Sequence, residues 1–158
     1  MKILYVTGLV FLLDQASKTL VRSTMDLHQS ISIIPGFFNL TYVTNTGMAF
    51  GWNFPGGPLF FTTASILLTL VLLRILWKER SGPVLVRLAL SLILAGAFGN
   101  LFDRLFRSEV VDFFDFYWQA YHFYIFNVAD SSVTIGIGLY LWYTLFVHPK
   151  TEDTLPTP

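Results

Sequence analysis

Four long apolar runs are the feature of this 158-residue sequence that most restricts its fold. An α-helix needs about 20 mainly apolar residues to cross a hydrocarbon core of about 30 Å. Runs of that length lie at about Ile3–Val21, Pro58–Trp77, Pro83–Phe102 and Tyr124–Val147. Hydrophobic residues make up 54% of the chain and charged residues only 13%, which disfavours a water-soluble fold. The pattern predicts an all-α polytopic membrane protein with four transmembrane helices, in a single membrane domain over residues 1–158.

The basic residues predict the orientation of these spans. Lys78 and Arg80 lie in the short link between the second and third runs, Lys2 is near the N-terminus, and Lys150 is in the tail. Because basic residues concentrate in cytoplasmic segments, we expect both termini in the cytoplasm and the other two connections outside. The polar tail, about 150–158, is expected to be disordered.

The first outward connection has the pattern of a small sheet. Polar and apolar residues alternate in Ser30–Ile34 and in Phe38–Val43, on either side of a Pro35-Gly36 turn. This predicts two short strands whose apolar faces lie at the membrane surface. Small residues follow in Asn45-Thr46-Gly47, where glycine permits a close approach of the backbone.

Polar residues at membrane depth are the candidate functional residues, because a charge at the bilayer centre costs at least about 2.5–3.5 kcal/mol. Asp14 and Lys18 have the order and spacing of a helical ion pair, which on its own would be structural. Asn100, Asp103 and Arg104 share one helical face near the outer end of the third run. That group is either a polar knot that joins two helices or part of a functional site.

Two acids near the outer boundary are candidate catalytic groups. Asp112 stands between Val-Val and Phe-Phe, where burial would raise its pKa. Asp130 follows Asn127 by three residues, so one helical face presents both, although a helix-start acid stabilised by the helix dipole would also explain Asp130. The 17 residues between the two acids can fold back, so the acids could meet. Asp115 is a rival candidate in the same run.

Two carboxyl groups in a poorly solvated cleft share a proton, because both cannot ionise at low cost. That is the chemistry of an aspartic protease. One carboxylate takes a proton from the attacking water while the protonated partner donates to the scissile carbonyl. Asn100, Arg104 and Asn127 would position this dyad or the substrate backbone. The reaction needs no metal, no cofactor and no covalent nucleophile.

Other classes of protein stay open at this stage. A small transporter or proton-coupled channel would also hold acids at membrane depth, but it predicts a path open to both sides. A non-catalytic scaffold would use Asn and Arg to join helices. Zero net charge gives no support to a nucleic-acid partner, and the absence of cysteine excludes thiol chemistry. The three histidines, His28, His122 and His148, lack the spacing of a metalloprotease motif.

Five segments resemble, in order, the five motif regions of the lipoprotein signal peptidase (signal peptidase II) family: Asp14–Lys18, Asn45–Phe50, Gly99–Arg104, Val110–Phe113 and Phe126–Ser131. The resemblance implies a multi-pass aspartic endopeptidase of the bacterial cytoplasmic (inner) membrane. Its active site would face the extracytoplasmic side, beside a small β-cradle over about residues 28–54. Such an enzyme removes the signal peptide from diacylglyceryl-modified prolipoproteins, cleaving just before the lipidated cysteine.

The resemblance also implies roles for individual residues. Asp112 and Asp130 match the catalytic pair. Seven further positions would support the active site or contact substrate: Asp14, Lys18, Asn45, Gly47, Asn100, Arg104 and Asn127. Met48 is a departure, because the family more often has alanine there. Prolipoprotein, membrane lipid and globomycin-type inhibitors are the implied partners, and we expect a monomer without metal, cofactor or nucleic acid.

Overall fold

A computed structural model describes residues 3–46, 56–119 and 121–147 of the chain. Each of the four apolar runs contains a helix, and these helices are α1 (Leu4–Thr24), α2 (Gly57–Lys78), α3 (Val84–Arg107) and α4 (Val128–Trp142). A 3-10 turn follows α2 and a π-helical turn follows α4, at Glu79–Ser81 and Tyr143–Val147. The strands are β1 (Ser30–Ile34), β2 (Phe38–Asn45), β3 (Val110–Trp118) and β4 (Tyr121–His122).

Within the described residues, two helical segments are long and apolar enough to cross a membrane, judged by length and composition. Gly57–Ser81 has 25 residues and a mean hydropathy of 2.2, and Val84–Arg107 has 24 residues and a mean hydropathy of 1.9. Helix α2 buries only a narrow stripe that includes Leu72 and Leu76, and most of its other large apolar side chains are exposed. A bilayer would cover such a surface. Four membrane crossings and cytoplasmic termini stay predictions.

Helix α3 lies at the centre of the helices and packs against α1, α2 and α4. Its contact with α4 is close because glycine stands at the crossing points. A Cβ on Gly96 would collide with the backbone carbonyl of Ala129, and a Cβ on Gly136 would lie 2.7 Å from the carbonyl oxygen of Ala89. Small residues at these positions let the two backbones approach.

The sheet is antiparallel, with strand order β1-β2-β3-β4. Its first two strands confirm the prediction from the alternating pattern, whereas residues 47–54 of the expected β-cradle lie outside the described residues. Strand β3 is a finding that the sequence interpretation missed. It pairs with β2, placing Asp112 opposite Val43, and a bulge between Leu40 and Val43 shifts the register. The sheet packs on the end of α1 through an apolar cluster of Val21, Met25, Tyr42, Val111 and Phe113.

The last helix begins later than predicted. The apolar run was expected to be helical from Tyr124, but α4 starts at Val128 with Asn127 as its N-cap. The residues before it run beside β3, where Phe126 and Phe114 form an antiparallel bridge. The prediction failed because hydrophobicity alone does not separate a helix from an extended apolar segment. Helix α3 in turn continues past Phe102 to Arg107.

Alanine substitutions on α4 test the close packing of α3 and α4. Gly136→Ala should lower the free energy of unfolding by about 1–3 kcal/mol, because the new methyl group meets the Ala89 carbonyl and Ile93. Gly138→Ala is the matched control on the same helix, since a Cβ at Gly138 has no atom within 4 Å. Thermal unfolding in detergent measures both. Equal loss in the two variants would contradict the packing.

Candidate active site

A buried lysine holds the polar groups of α1 and α3 together. The Lys18 side chain is 1% exposed, and its Nζ lies 2.8 Å from Asp14 Oδ2 and 2.8 Å from Asp103 Oδ2. Nζ also donates a hydrogen bond to Asn100 Oδ1 at 2.9 Å. Three oxygen atoms from α1 and α3 therefore surround the ammonium group. The predicted Asp14–Lys18 pair is therefore part of a larger buried cluster.

Each acid of this cluster has a second attachment. Asp14 Oδ1 accepts a hydrogen bond from the backbone N–H of Ala129 at 2.9 Å, in the first turn of α4. Negative charge is favoured at that end of a helix. Asp103 Oδ1 pairs with Arg107 on its own helix. The cluster thus ties α1, α3 and α4 to one point.

The three residues predicted to share one face of α3 have different partners: they are Asn100, Asp103 and Arg104. Asp103 turns to Lys18, whereas Arg104 donates to Ser65 Oγ on α2 and to the Asn100 carbonyl, both at 3.4 Å. Asn100 connects the ion cluster with the acid on α4. Its Nδ2 donates to Asp130 Oδ1 at 2.7 Å, while its Oδ1 accepts from Lys18.

Asn127 brings the two candidate catalytic acids to one place. Its side chain is fully buried, and its Nδ2 donates to Asp112 Oδ1 at 2.6 Å. Asn127 and Asp130 also form a capping box: Asn127 Oδ1 accepts from the Asp130 N–H at 3.0 Å, and Asp130 Oδ2 accepts from the Asn127 N–H at 3.2 Å. Asp130 is therefore a helix-start acid, as one interpretation of the sequence expected, and Asn127 links it to Asp112.

Asp112, on strand β3, is an acid with a strongly raised pKa. It is 3% exposed, and its pKa is raised from 3.8 to about 7, chiefly because of burial and also because of the negative charge of Asp130. The hydrogen bond from Asn127 and the positive charges of Lys18 and Arg104 oppose that rise. Asp112 therefore keeps its proton up to about neutral pH.

A mainly apolar cavity of about 640 Å³ opens beside this network. Its walls come from the segment before α4 and from the first turns of α4, and they are formed by Phe123, Tyr124, Phe126, Asp130, Ser131, Thr134 and Ile135. Asp130 is half-buried and lines the cavity, whereas Asp112 is buried. The arrangement offers an ionisable oxygen to a molecule held between aromatic walls.

The rival acid Asp115 belongs to a different set of contacts. It lies three residues from Asp112 on β3, so the two side chains leave opposite faces of the strand. Asp115 accepts from Thr41 Oγ1 at 2.7 Å and pairs with His122 Nδ1 at 2.9 Å. These bonds join β2, β3 and β4, which indicates a structural role for Asp115.

Asn45 and the residues after it complete the predicted set. Asn45 Nδ2 donates to the hydroxyl oxygen of Tyr124 at 2.6 Å, across the gap between β2 and the segment before α4. Gly47 and Met48 lie outside the described residues. Sequence interpretation missed Tyr124. The signal that could have found it is an amphipathic tyrosine three residues before Asn127, in an otherwise apolar segment.

Comparison with known proteins gives a consistent match. A family model described as signal peptidase (SPase) II matches residues 6–146. The lipoprotein signal peptidase of Symbiobacterium thermophilum is 46% identical over 137 residues, covering 87% of this chain and 90% of that protein. The lipoprotein signal peptidase of Pasteurella multocida is 43% identical over 143 residues, covering 86% of this chain and 84% of its own.

Solved structures share the fold. One described as a bacterial membrane enzyme, determined by the in meso method at 2.3 Å resolution, has a TM-score of 0.83 and 34% sequence identity. It covers 99% of this chain and 93% of its own. A second bacterial membrane enzyme, at 1.9 Å resolution, has a TM-score of 0.78 and 33% identity, over 92% of this chain and 94% of that one.

Removing the buried cation should destabilise the protein strongly. Lys18→Met leaves the Asp14 carboxylate buried without its cation, at a cost of about 3–5 kcal/mol in the free energy of unfolding. Arg22→Met is the matched control one turn along α1, because its pair with Glu109 is 3.7 Å long and partly exposed, and is worth about 0–1 kcal/mol. Thermal unfolding in detergent compares them.

A second substitution tests whether the unpaired Asp14 carboxylate causes this loss. Adding Asp14→Asn to Lys18→Met removes that carboxylate and should recover part of the stability. Equal stability of the single and double variants would contradict this explanation.

The raised pKa of Asp112 predicts a pH-dependent stability. Between the ordinary value of 3.8 and about 7, the unfolded chain releases this proton and the folded chain keeps it. The contribution of Asp112 to stability is therefore fully present below this window and is lost as the pH rises through it. At about 1.4 kcal/mol for each pKa unit, the loss is at most about 4 kcal/mol. The unfolding temperature of wild type should fall between pH 4 and about 7 more steeply than that of Asp112→Asn, and parallel curves would contradict the prediction.

Proposed function

The chain belongs to the signal peptidase II family, and from this premise we propose that it is an aspartic endopeptidase whose catalytic pair is Asp112 and Asp130. Its substrate class is the prolipoprotein carrying a diacylglyceryl group, and cleavage falls just before the lipidated cysteine. The observation that carries the proposal is the hydrogen-bonding of Asn127 to both acids, at the edge of an apolar cavity.

The two acids have unequal surroundings, which suits unequal roles. Asp130 lines the cavity, so its carboxylate takes a proton from the water that attacks the scissile carbonyl carbon. Asp112 keeps its proton to about neutral pH and donates it to the carbonyl oxygen. When the resulting tetrahedral intermediate breaks its C–N bond, the amine leaves with the proton held by Asp130, and Asp112 recovers its own. The cycle consumes one water and needs no metal.

The surrounding polar residues hold this pair in place. Asn100 and Asn127 fix the carboxylate oxygens, and the Lys18 cluster with Asp14 fixes Asn100 and the start of α4. Arg104 contributes positive charge close to both acids. We assign Asn45 and Gly47 to substrate contact by their motif positions. Asp14 and Lys18 act through other residues and are positioning groups.

The architecture agrees with a lipid-anchored substrate. A diacylglyceryl group stays in the leaflet, so the adjacent peptide bond is presented at the interface. We place the chain as one multi-pass domain in the bacterial cytoplasmic membrane, with the site toward the extracytoplasmic face and the termini in the cytoplasm. The sheet forms the β-cradle beside the site. The chain acts as a monomer, and globomycin-type inhibitors occupy the same site.

Conservative substitution of each acid tests the dyad. Asp112→Asn and Asp130→Asn keep side-chain volume but remove the ionisable proton, so each should lower signal-peptide release by at least about 1,000-fold. The assay follows cleavage of a diacylglyceryl-modified prolipoprotein in detergent or liposomes.

Asp115→Asn is the matched control, because Asp115 lies on the same strand but bonds to Thr41 and His122. It should keep cleavage within about threefold of wild type, consistent with a change remote from the reacting atoms. Substantial turnover in both dyad variants would refute the mechanism. An essential Asp115 with a dispensable Asp112 would show that the wrong acid of strand β3 had been assigned.

A further inference from the structure

Tyr124 is held rigidly at the cavity wall by backbone bonds on both sides. The Phe123 N–H donates to the Phe116 carbonyl at 2.7 Å. Phe126 and Phe114 exchange two backbone hydrogen bonds, at 3.2 and 2.8 Å. The residue between these anchors therefore has a backbone fixed to β3, and its ring lines the same cavity as Asp130. A side chain on such a support can present a polar atom precisely.

The Tyr124 hydroxyl has a proton to donate. Asn45 Nδ2 donates to its oxygen at 2.6 Å, which uses the hydroxyl as an acceptor. Among the described residues, no acceptor takes the hydroxyl proton. Burial raises the pKa of Tyr124, and the negative charges of Asp112 and Asp130 raise it further, so the hydroxyl is protonated at neutral pH.

The other hydroxyl groups of the cavity have already donated their protons. Ser131 Oγ donates to the Asn127 carbonyl at 2.9 Å, and Thr134 Oγ1 donates to the Asp130 carbonyl at 2.9 Å. The Asp130 carboxylate oxygens accept hydrogen bonds from the Asn100 amide and from the Asn127 N–H. Among the described side chains that line this cavity, Tyr124 is therefore the one with a free hydrogen-bond donor.

A peptide entering the cavity brings carbonyl oxygens that need such a donor. The walls are mainly apolar, and a carbonyl buried there without a partner is penalised. We propose that the Tyr124 hydroxyl donates a hydrogen bond to a backbone carbonyl of the bound substrate, next to the bond that the dyad cleaves. The identity of that substrate rests on the proposed function. Tyr124 is a substrate-binding residue in this assignment, and Asn45 positions it.

Tyr124→Phe removes only the hydroxyl and tests this contact. Loss of one neutral hydrogen bond should raise KM for a diacylglyceryl-modified prolipoprotein about three- to tenfold, with kcat and the unfolding temperature unchanged. Tyr121→Phe is the matched control, because Tyr121 is 80% exposed on β4 and does not line the cavity. Unchanged KM, or a loss confined to kcat, would overturn the assignment.

A binding measurement separates failure of this inference from failure of the proposed function. In an Asp112→Asn background, Kd for a fluorescently labelled diacylglyceryl-modified prolipoprotein should rise by the same factor when Tyr124→Phe is added. If wild type binds this substrate without cleaving it, the proposed reaction fails while Kd still decides the role of Tyr124. Equal Kd values with and without the hydroxyl, or no binding at all, would overturn the contact.

Discussion

The buried charge of Lys18 is the constraint on which the rest of the structure depends. An ammonium group enclosed by apolar helices is tolerated only when its donors are paired, and here the partners are Asp14, Asp103 and Asn100. Those partners come from two helices, and Asp14 also holds the N–H of Ala129 at the start of α4. Satisfying one cation therefore fixes the relative positions of α1, α3 and α4. The glycine contacts between α3 and α4 then let the backbones come close enough to keep that arrangement.

The helix cap at Asn127 connects the packed helices with the two candidate catalytic acids. A capping box normally satisfies only the free N–H groups of a helix end. Here the same Asn127 side chain also donates a hydrogen bond to Asp112 on β3, so its amide joins the start of α4 to this strand. Asn100 carries the connection to the Lys18 cluster. The residues that join the helices therefore also hold the two acids, so a substitution in the Lys18 cluster is expected to move the acids.

Much of this arrangement follows from local sequence patterns, and the rest depends on tertiary pairing. The Asp14–Lys18 pair and strands β1 and β2 are visible as a helical spacing and as an alternation of polar and apolar residues. Strand β3 was missed because Val110–Trp118 is almost continuously apolar, and only its pairing with β2 distinguishes it from a loop or a helix. The contacts of Asp103 with Lys18 and of Tyr124 with Asn45 likewise join residues that are distant in the chain. The sequence motifs indicated candidate polar residues, but they did not show which of these residues are in contact.

Buried aspartates have two different roles in this structure: Asp14 and Asp103 form ion pairs, whereas among the described residues Asp112 has no cation bonded to it. Asp14 and Asp103 are paired with Lys18, and these ion pairs join α1 to α3. Asp112 is equally buried, but it has an amide donor in place of an ion pair, and Asp130 adds negative charge nearby. Burial and the charge of Asp130 outweigh the Asn127 hydrogen bond and the positive charges of Lys18 and Arg104, and this keeps a proton on Asp112 up to about neutral pH. A cation bonded to Asp112 would stabilise the fold and would also remove the proton that acid catalysis needs, so the cost of burying Asp112 is a requirement of the proposed reaction.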